Sequence, residues 1–121
     1  MKKIFFVTGS RAEFGIFENF LKILSKQANT NLSLIVTGSF LEVDFKNDFK
    51  DIIKSKLRIK KKIKLNLSKK KIFEKPSLDI SIGIKKFTLL FKKERPDYIM
   101  IPCDRYEMLA PSFSAFFLKI P

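Results

Sequence analysis

The sequence predicts an α/β fold, a mostly parallel sheet with helices on both faces. Three observations carry that prediction. Short apolar runs alternate with segments of helical period, and two of the runs end in the same Thr-Gly pair, Thr8-Gly9 and Thr37-Gly38. A length of 121 residues at 45% hydrophobic content suits one compact domain rather than two.

The elements follow in order. Ile4-Phe5-Phe6-Val7 reads as a short buried strand. From Glu13 to Ala28, Phe17, Phe20, Leu21 and Leu24 recur at helical spacing and predict an amphipathic helix. Leu32 to Val36 is a second strand, and Phe45, Phe49, Ile52 and Ile53 mark a second helix. Residues 57 to 67 then alternate: Leu57, Ile59, Ile63, Leu65 and Leu67 share one face, and Arg58, Lys60, Lys62 and Lys64 share the other. Lys61 is the exception, a charge on the apolar face. This is the pattern of a half-wet edge strand, where lysines discourage pairing with another chain. A loop carrying Lys69-Lys70-Lys71 runs on to about Pro76.

Residues 78 to 94 keep a helical period through Ile80, Ile84, Phe87 and Phe91, and Pro96 ends the helix. Tyr98 to Ile101 is a continuous apolar strand of the kind buried on both faces. A last helix runs from about Arg105 to Leu118 despite Pro111. The resulting β-α-β-α-β-α-β-α order, with right-handed crossovers, is a doubly wound, Rossmann-like arrangement. The chain closes on Lys119-Ile120-Pro121, where another strand is expected to begin, so residues 1–121 read as an incomplete domain.

Composition narrows the chemistry. There is no histidine, so His-ligated metals and His-based acid–base catalysis are excluded, and neither a metal nor a cofactor is expected. The single cysteine, Cys103, allows no internal disulfide and reads as a small buried residue rather than a nucleophile. The apolar run after Lys2-Lys3 is too short for a secretory signal, and no stretch approaches a membrane span. A cytoplasmic protein is the simplest expectation, with no membrane partner. The net charge is +13, but residues 54 to 75 hold eleven Lys or Arg against one Glu. The charge is a local feature, either a solvated face or a binding patch.

Three strand-to-helix junctions carry a Ser or Asp followed three residues later by Glu: Ser10 and Glu13, Ser39 and Glu42, Asp104 and Glu107. Each taken alone is a capping box. All three nevertheless lie at the carboxyl ends of parallel strands, the edge where open α/β sheets bind ligands. In a 3-2-1-4 strand order the first and fourth strands are neighbours, so Arg11 and Asp104 would face one crevice. Gly9 allows close backbone approach there, the helix starting near Ser10 offers free N–H groups, and Arg11 supplies a fork suited to phosphate. A diphosphate-bearing ligand beside an acidic residue is the expectation. Neither G-x-G-x-x-G nor a Walker lysine is present at this turn. Tyr106 either reaches the crevice or packs.

Val7-Thr8-Gly9-Ser10-Arg11-Ala12-Glu13-Phe14-Gly15, Val36-Thr37-Gly38 with Leu41, Pro96-Asp97, Asp104-Arg105-Tyr106-Glu107-Met108-Leu109 and the closing Leu118-Lys119-Ile120-Pro121 together resemble the hydrolysing UDP-N-acetylglucosamine 2-epimerases. The non-hydrolysing branch typically has a Thr-Arg-Pro-Glu start and a Gly-Asp-Thr-Thr turn. The resemblance spans the whole chain but only about the first third of the family's length. It implies the N-terminal half of a glycosyltransferase-B-type pair of Rossmann-like domains, the second domain being absent from residues 1–121. It also implies conversion of UDP-N-acetylglucosamine to N-acetylmannosamine and UDP for sialic or nonulosonic acid synthesis, by C2 proton abstraction, UDP elimination and water addition. The full-length protein would be a homo-oligomer. By the same analogy Arg11 and Arg105 contact the nucleotide with the Gly15 backbone nearby, beside the Gly9 and Ser10 turn already singled out. Asp104 matches a catalytic carboxylate whose pKa partial burial would raise, and Glu107 is a supporting residue or only a cap.

Two departures accompany the resemblance. Cys103 stands where the family has Gly, and the family's His-x-x-Gly-Gly-Glu segment would fall beyond Pro121. The 121-residue polypeptide alone is therefore expected to be inactive. Two other readings remain: a basic α/β module binding nucleic acid through the 54–75 lysines, and the N-terminal piece of a related glycosyltransferase.

Overall fold

The computed structural model describes residues 1–41, 46–65, 73–102 and 105–121. Four strands form one parallel sheet: β1 (Lys2–Thr8), β2 (Thr30–Thr37), β3 (Ile59–Ile63) and β4 (Tyr98–Met100), in the order β3-β2-β1-β4. The helices are α1 (Arg11–Ser25), α2 (Lys46–Ser55), α3 (Lys75–Glu94) and α4 (Leu109–Phe117). Short 3₁₀ turns at Gly38–Leu41 and Tyr106–Met108 lie at the carboxyl ends of β2 and β4.

Alternation along the strands builds a core on each side of the sheet. Phe5, Val7 and Ile35 point to one side, where they meet Phe87 and Phe91 of α3 and Ala110 and Ala115 of α4. Phe6, Leu34 and Val36 point to the other, against Phe14 and Leu21 of α1 and Ile52 of α2. A sheet covered on both faces explains why β1 and β2 are apolar almost without interruption.

Several expectations need correction. In α1 the inward stripe is Phe14, Phe17, Leu21 and Leu24, and Phe20 points outward. In α2, Ile53 is likewise exposed. Helix α3 begins at Lys75, with Pro76 in its first turn where no N–H partner is lost, and its buried stripe is Asp79, Gly83, Phe87 and Phe91. Pro111 is tolerated in α4 for the same reason, since it too falls in the first turn. Strand β4 is shorter than expected and only partly buried, as it is the edge strand of the described sheet: β1 pairs on one flank, and on the other the Ile99 N–H donates to the Pro121 carbonyl at 2.8 Å.

The largest correction concerns residues 57 to 65. Leu57 and Ile59 pack on the α1/α2 side, whereas Ile63 and Leu65 pack on the α3/α4 side. A register shift causes this: Leu34 pairs with Ile59, but the next residue, Ile35, pairs with Lys61. One extra residue in β3 reverses the face of everything after it. The apparent exception at Lys61 is a consequence of that bulge. Leu67 and the Lys69-Lys70-Lys71 loop lie outside the described residues.

Part of the basic cluster has structural work at the sheet. Lys62 Nζ lies 4.4 Å from the centre of the Phe49 ring. Lys60 Nζ and Lys3 Nζ reach Glu94 Oε2 at 3.2 and 2.8 Å, so the end of α3 is tied to two strands. The Lys3 hydrogen bond, seconded by Lys60, holds the Glu94 carboxyl below its ordinary value of 4.5. A lowered pKa contributes stability above the unfolded value and loses it as pH falls through the folded one. The stability advantage of the wild-type chain over E94Q is therefore expected to be present at pH 7 and to close below about pH 4.5. Urea midpoints measured at pH 7 and pH 3 check this, and an equal gap at both values contradicts it.

Candidate functional site

Adjacency of β1 to β4 and β2 brings three turns together at the carboxyl edge of the sheet. The first is Gly9-Ser10, leading into α1. The second is the 3₁₀ turn from Gly38, and the third is the 105–108 turn after β4. Their contacts are intimate. Ser39 Oγ donates to the Gly9 carbonyl at 2.9 Å, and the Gly9 N–H donates to Glu13 Oε2 at 3.3 Å. A Cβ on Gly9 would lie 2.8 Å from the Met108 methyl, and one on Gly38 would lie 3.3 Å from Glu107 Oε1. The space that Gly9 leaves is thus filled by Met108 of the third turn, rather than held open for a ligand.

Glu107 is only 3% exposed, and its Oε1 accepts from both Nε and Nη2 of Arg105 at 2.8 Å. This side-on pair fixes the guanidinium at the rim with part of its surface open to solvent. Among the described residues, Glu107 Oε2 and Glu13 Oε1 are buried without a hydrogen-bond partner. Buried acceptors of this kind cost free energy unless a donor reaches them.

The capping boxes hold only in part. Glu13 reaches back, but to Gly9 instead of Ser10, and the Ser10 side chain makes no capping bond. Ser39 bonds the Gly9 carbonyl instead of capping α2, and Glu42 lies outside the described residues. Glu107 is committed to Arg105. Asp104 and Cys103 also lie outside the described residues, and with them the expected meeting of Asp104 and Arg11.

Arg11 is engaged elsewhere than at the 105–108 turn. Its Nε is 3.0 Å from Asp51 Oδ2 and its Nη1 is 3.8 Å from Asp48 Oδ1, both on α2. It is 68% exposed and lines, with Phe14, Gly15 and Lys54, an open groove of about 380 Å³ between α1 and α2. Gly15 is the one glycine of the four with nothing within 4 Å of where a Cβ would stand. The candidates therefore divide: Gly9, Ser10, Arg105 and Glu107 gather at the strand edge, while Arg11 and Gly15 face the α1/α2 groove.

Sequence reasoning missed one cluster. Tyr106 neither lines an open crevice nor merely packs: its hydroxyl donates to Asp79 Oδ2 of α3 at 2.9 Å. Lys75 Nζ reaches the same oxygen at 2.9 Å. Burial first, and then the Asp79 hydrogen bond, push the Tyr106 phenol above its ordinary value, against the opposing pull of Lys75. The hydrogen bond to Asp79 chiefly raises Lys75. The available signal was Asp79 itself, a charge on the four-residue stripe it shares with Gly83, Phe87 and Phe91. Among the described residues, no group of three Asp, Glu or Cys could hold a metal ion. No helix there is long and apolar enough to cross a membrane.

Comparison with known proteins agrees with this architecture. The sequence model of the UDP-N-acetylglucosamine 2-epimerase family matches residues 22–121. The chain is 33% identical to the UDP-N,N'-diacetylbacillosamine 2-epimerase (hydrolyzing) of Legionella pneumophila, covering 100% of this chain and 32% of that protein. It is 32% identical to polysialic acid biosynthesis protein P7 of Escherichia coli, again over 100% of this chain and 31% of the relative. The fold superposes on the UDP-GlcNAc 2-epimerase of Neisseria meningitidis with a TM-score of 0.78 at 20% identity, over 100% of this chain and 31% of that one. The chain thus spans about a third of the length of the relatives it matches.

Proposed function

This chain belongs to the UDP-N-acetylglucosamine 2-epimerase family, and from that premise we propose that it supplies the N-terminal, nucleotide-side part of a hydrolysing 2-epimerase for a UDP-linked 2-acetamido sugar. One observation carries the reading. The β3-β2-β1-β4 order puts the Gly9 turn, the Gly38 turn and the Arg105–Glu107 pair at one sheet edge, in a chain whose family acts on nucleotide sugars. Neither the nucleic-acid module nor a separate glycosyltransferase is favoured beside that family match.

In the proposed reaction a carboxylate removes the C2 proton of the sugar and the C1–O bond to UDP breaks. Water then adds to the resulting glycal with the opposite configuration at C2. We assign proton abstraction to Asp104. The Arg105 fork stabilises charge on the departing diphosphate, where cationic donors lower the barrier most. Glu107 holds that fork, and its unpartnered oxygen is an acceptor for a sugar hydroxyl. Arg11 joins the nucleotide contacts by leaving Asp51 and Asp48, an exchange of one ion pair for another. UDP-N-acetylglucosamine is the assigned substrate, with N-acetylmannosamine and UDP as products that feed sialic or nonulosonic acid synthesis. The bacterial relatives named for diacetylbacillosamine make that sugar the comparison to test. We place the complete enzyme in the cytoplasm as a homo-oligomer.

The 121-residue polypeptide is expected to bind UDP and to release no N-acetylmannosamine from UDP-N-acetylglucosamine. R105K keeps the charge but loses the fork, and is expected to weaken UDP binding about tenfold, the loss of one charge-assisted hydrogen bond. K60Q, K62Q and K64Q together are expected to leave it nearly unchanged. Calorimetric titration checks the affinities and chromatography of the sugar product checks turnover. Affinity that follows the lysines and not Arg105, or N-acetylmannosamine formed by this polypeptide, overturns the assignment.

A further inference from the structure

We propose that Asp79 and Tyr106 form a positioning latch that clamps the 105–108 turn to α3, and thereby holds Arg105 and Glu107 in register for the nucleotide. The starting point is a buried carboxylate without a place in the chemistry. Asp79 is 4% exposed and occupies the inward stripe of α3, where an ionised group is costly unless it is paired. Its charge has a partner one turn away, because Lys75 and Asp79 form an i,i+4 pair at 2.9 Å within the same helix. Neutralising Asp79 does not require Tyr106. The hydroxyl of Tyr106 nevertheless reaches the same oxygen at 2.9 Å from 27 residues along the chain, and Lys75 Nζ also lies 3.4 Å from that hydroxyl. The extra bond does something the helix-internal pair cannot, which is to join two segments.

What it joins is a turn of only three residues, Tyr106–Met108. So short a 3₁₀ segment has little stability of its own and takes its geometry from outside contacts. The turn runs directly into α4, and each of its side chains ties it to a different neighbour. Tyr106 goes to α3 through Asp79, Glu107 grips Arg105 by both Nε and Nη2, and Met108 fills the space above Gly9. Met108 in the core and the junction with α4 hold the far end of the turn, so releasing the Tyr106 anchor frees the near end, which carries the Arg105 fork. Tyr106 and Lys75 ordinarily titrate near 10 and are pushed higher still, so both donors are protonated through the neutral range.

The clamping itself is independent of any ligand; its consequence for binding rests on the UDP-sugar reading. The test compares Y106F, which removes only the hydroxyl, and D79A, which removes its acceptor, in the 121-residue chain. The Nε–H resonance of Arg105 (identified by its loss in R105K) reports the fork, and a UDP titration reports binding. Y106F is expected to shift or broaden that resonance and to weaken UDP binding three- to tenfold, while the thermal midpoint moves little. D79A is expected to match it in the resonance and in UDP affinity, and the double variant to lose no more UDP affinity than either alone, as for two ends of one contact. An unmoved Arg105 resonance in Y106F overturns the latch, whatever happens to the midpoint. A moved resonance with unchanged UDP affinity overturns its positioning role. Should the wild-type chain bind no UDP, the UDP-sugar reading fails, and the resonance alone decides the latch.

Discussion

Replacing Gly38 with alanine is expected to cost about 3 kcal/mol. Gly38 has φ +64°, in the left-handed region where a Cβ already costs roughly 1 kcal/mol. The added carbon would also stand 2.8 Å from the Gly9 carbonyl oxygen and 3.2 Å from Gly9 Cα. Those are backbone atoms, and they cannot swing aside as a side-chain tip can. Moving them strains the bonds from Ser39 Oγ and the Phe40 N–H to the Gly9 carbonyl, at 2.9 and 3.4 Å. For a chain of this length the thermal midpoint should fall by about 10 °C. G38N separates the two causes, since asparagine tolerates the left-handed region but carries the same Cβ. It is expected to be no better than alanine. Recovery to near wild-type stability in G38N would show that backbone conformation, and not the clash, decides the cost.

Gly38 also illustrates what could be read from the amino-acid order and what could not. The Thr-Gly pairs marked the ends of β1 and β2, and the strand order implied that the first and last turns would be neighbours. Both are statements about chain direction and period, which a sequence carries locally. Side-chain partners are different, because they depend on registers and helix rotations that no local pattern records. One extra residue at Lys60 reverses the faces of β3, so strict alternation misplaced Ile63 and Leu65. In α1 the stripes through Phe17, Phe20, Leu21 and Leu24 and through Phe14, Phe17, Leu21 and Leu24 are both helical, and only packing against Phe6 and Phe40 selects the second. The candidate site divides in the same way. Its location at the strand ends was legible, but the commitment of Arg11 to Asp48 and Asp51 was not. Those carboxylates sit on a helix whose rotation only the tertiary structure sets.

Gly83 provides the second large effect, at the contact that seats α4 on α3. An alanine Cβ there would lie 2.6 Å from Ala110 Cβ and 2.9 Å from Leu65 Cδ2. Helix propensity argues the other way, since alanine in a helix interior is favoured over glycine by about 1 kcal/mol. Overpacking a tight site costs about 1–3 kcal/mol, and here one atom in the way is the Cβ of another helix. Spreading the two helices would also stretch the stitches across the same seam, Ser114 Oγ to the Ile84 carbonyl and Thr88 Oγ1 to Ser114 Oγ, each 3.1 Å. The clash outweighs the propensity gain, so G83A is expected to destabilise the chain by about 1 kcal/mol net. The decisive comparison is the double-mutant cycle with A110G. Removing the Ala110 methyl takes away the closer obstruction and leaves Leu65, a side-chain tip that can turn. The pair should therefore be more stable than the sum of the single changes by at least about 1 kcal/mol. Additive urea midpoints, or G83A as stable as the wild type, would mean that the seam yields and that propensity governs this position.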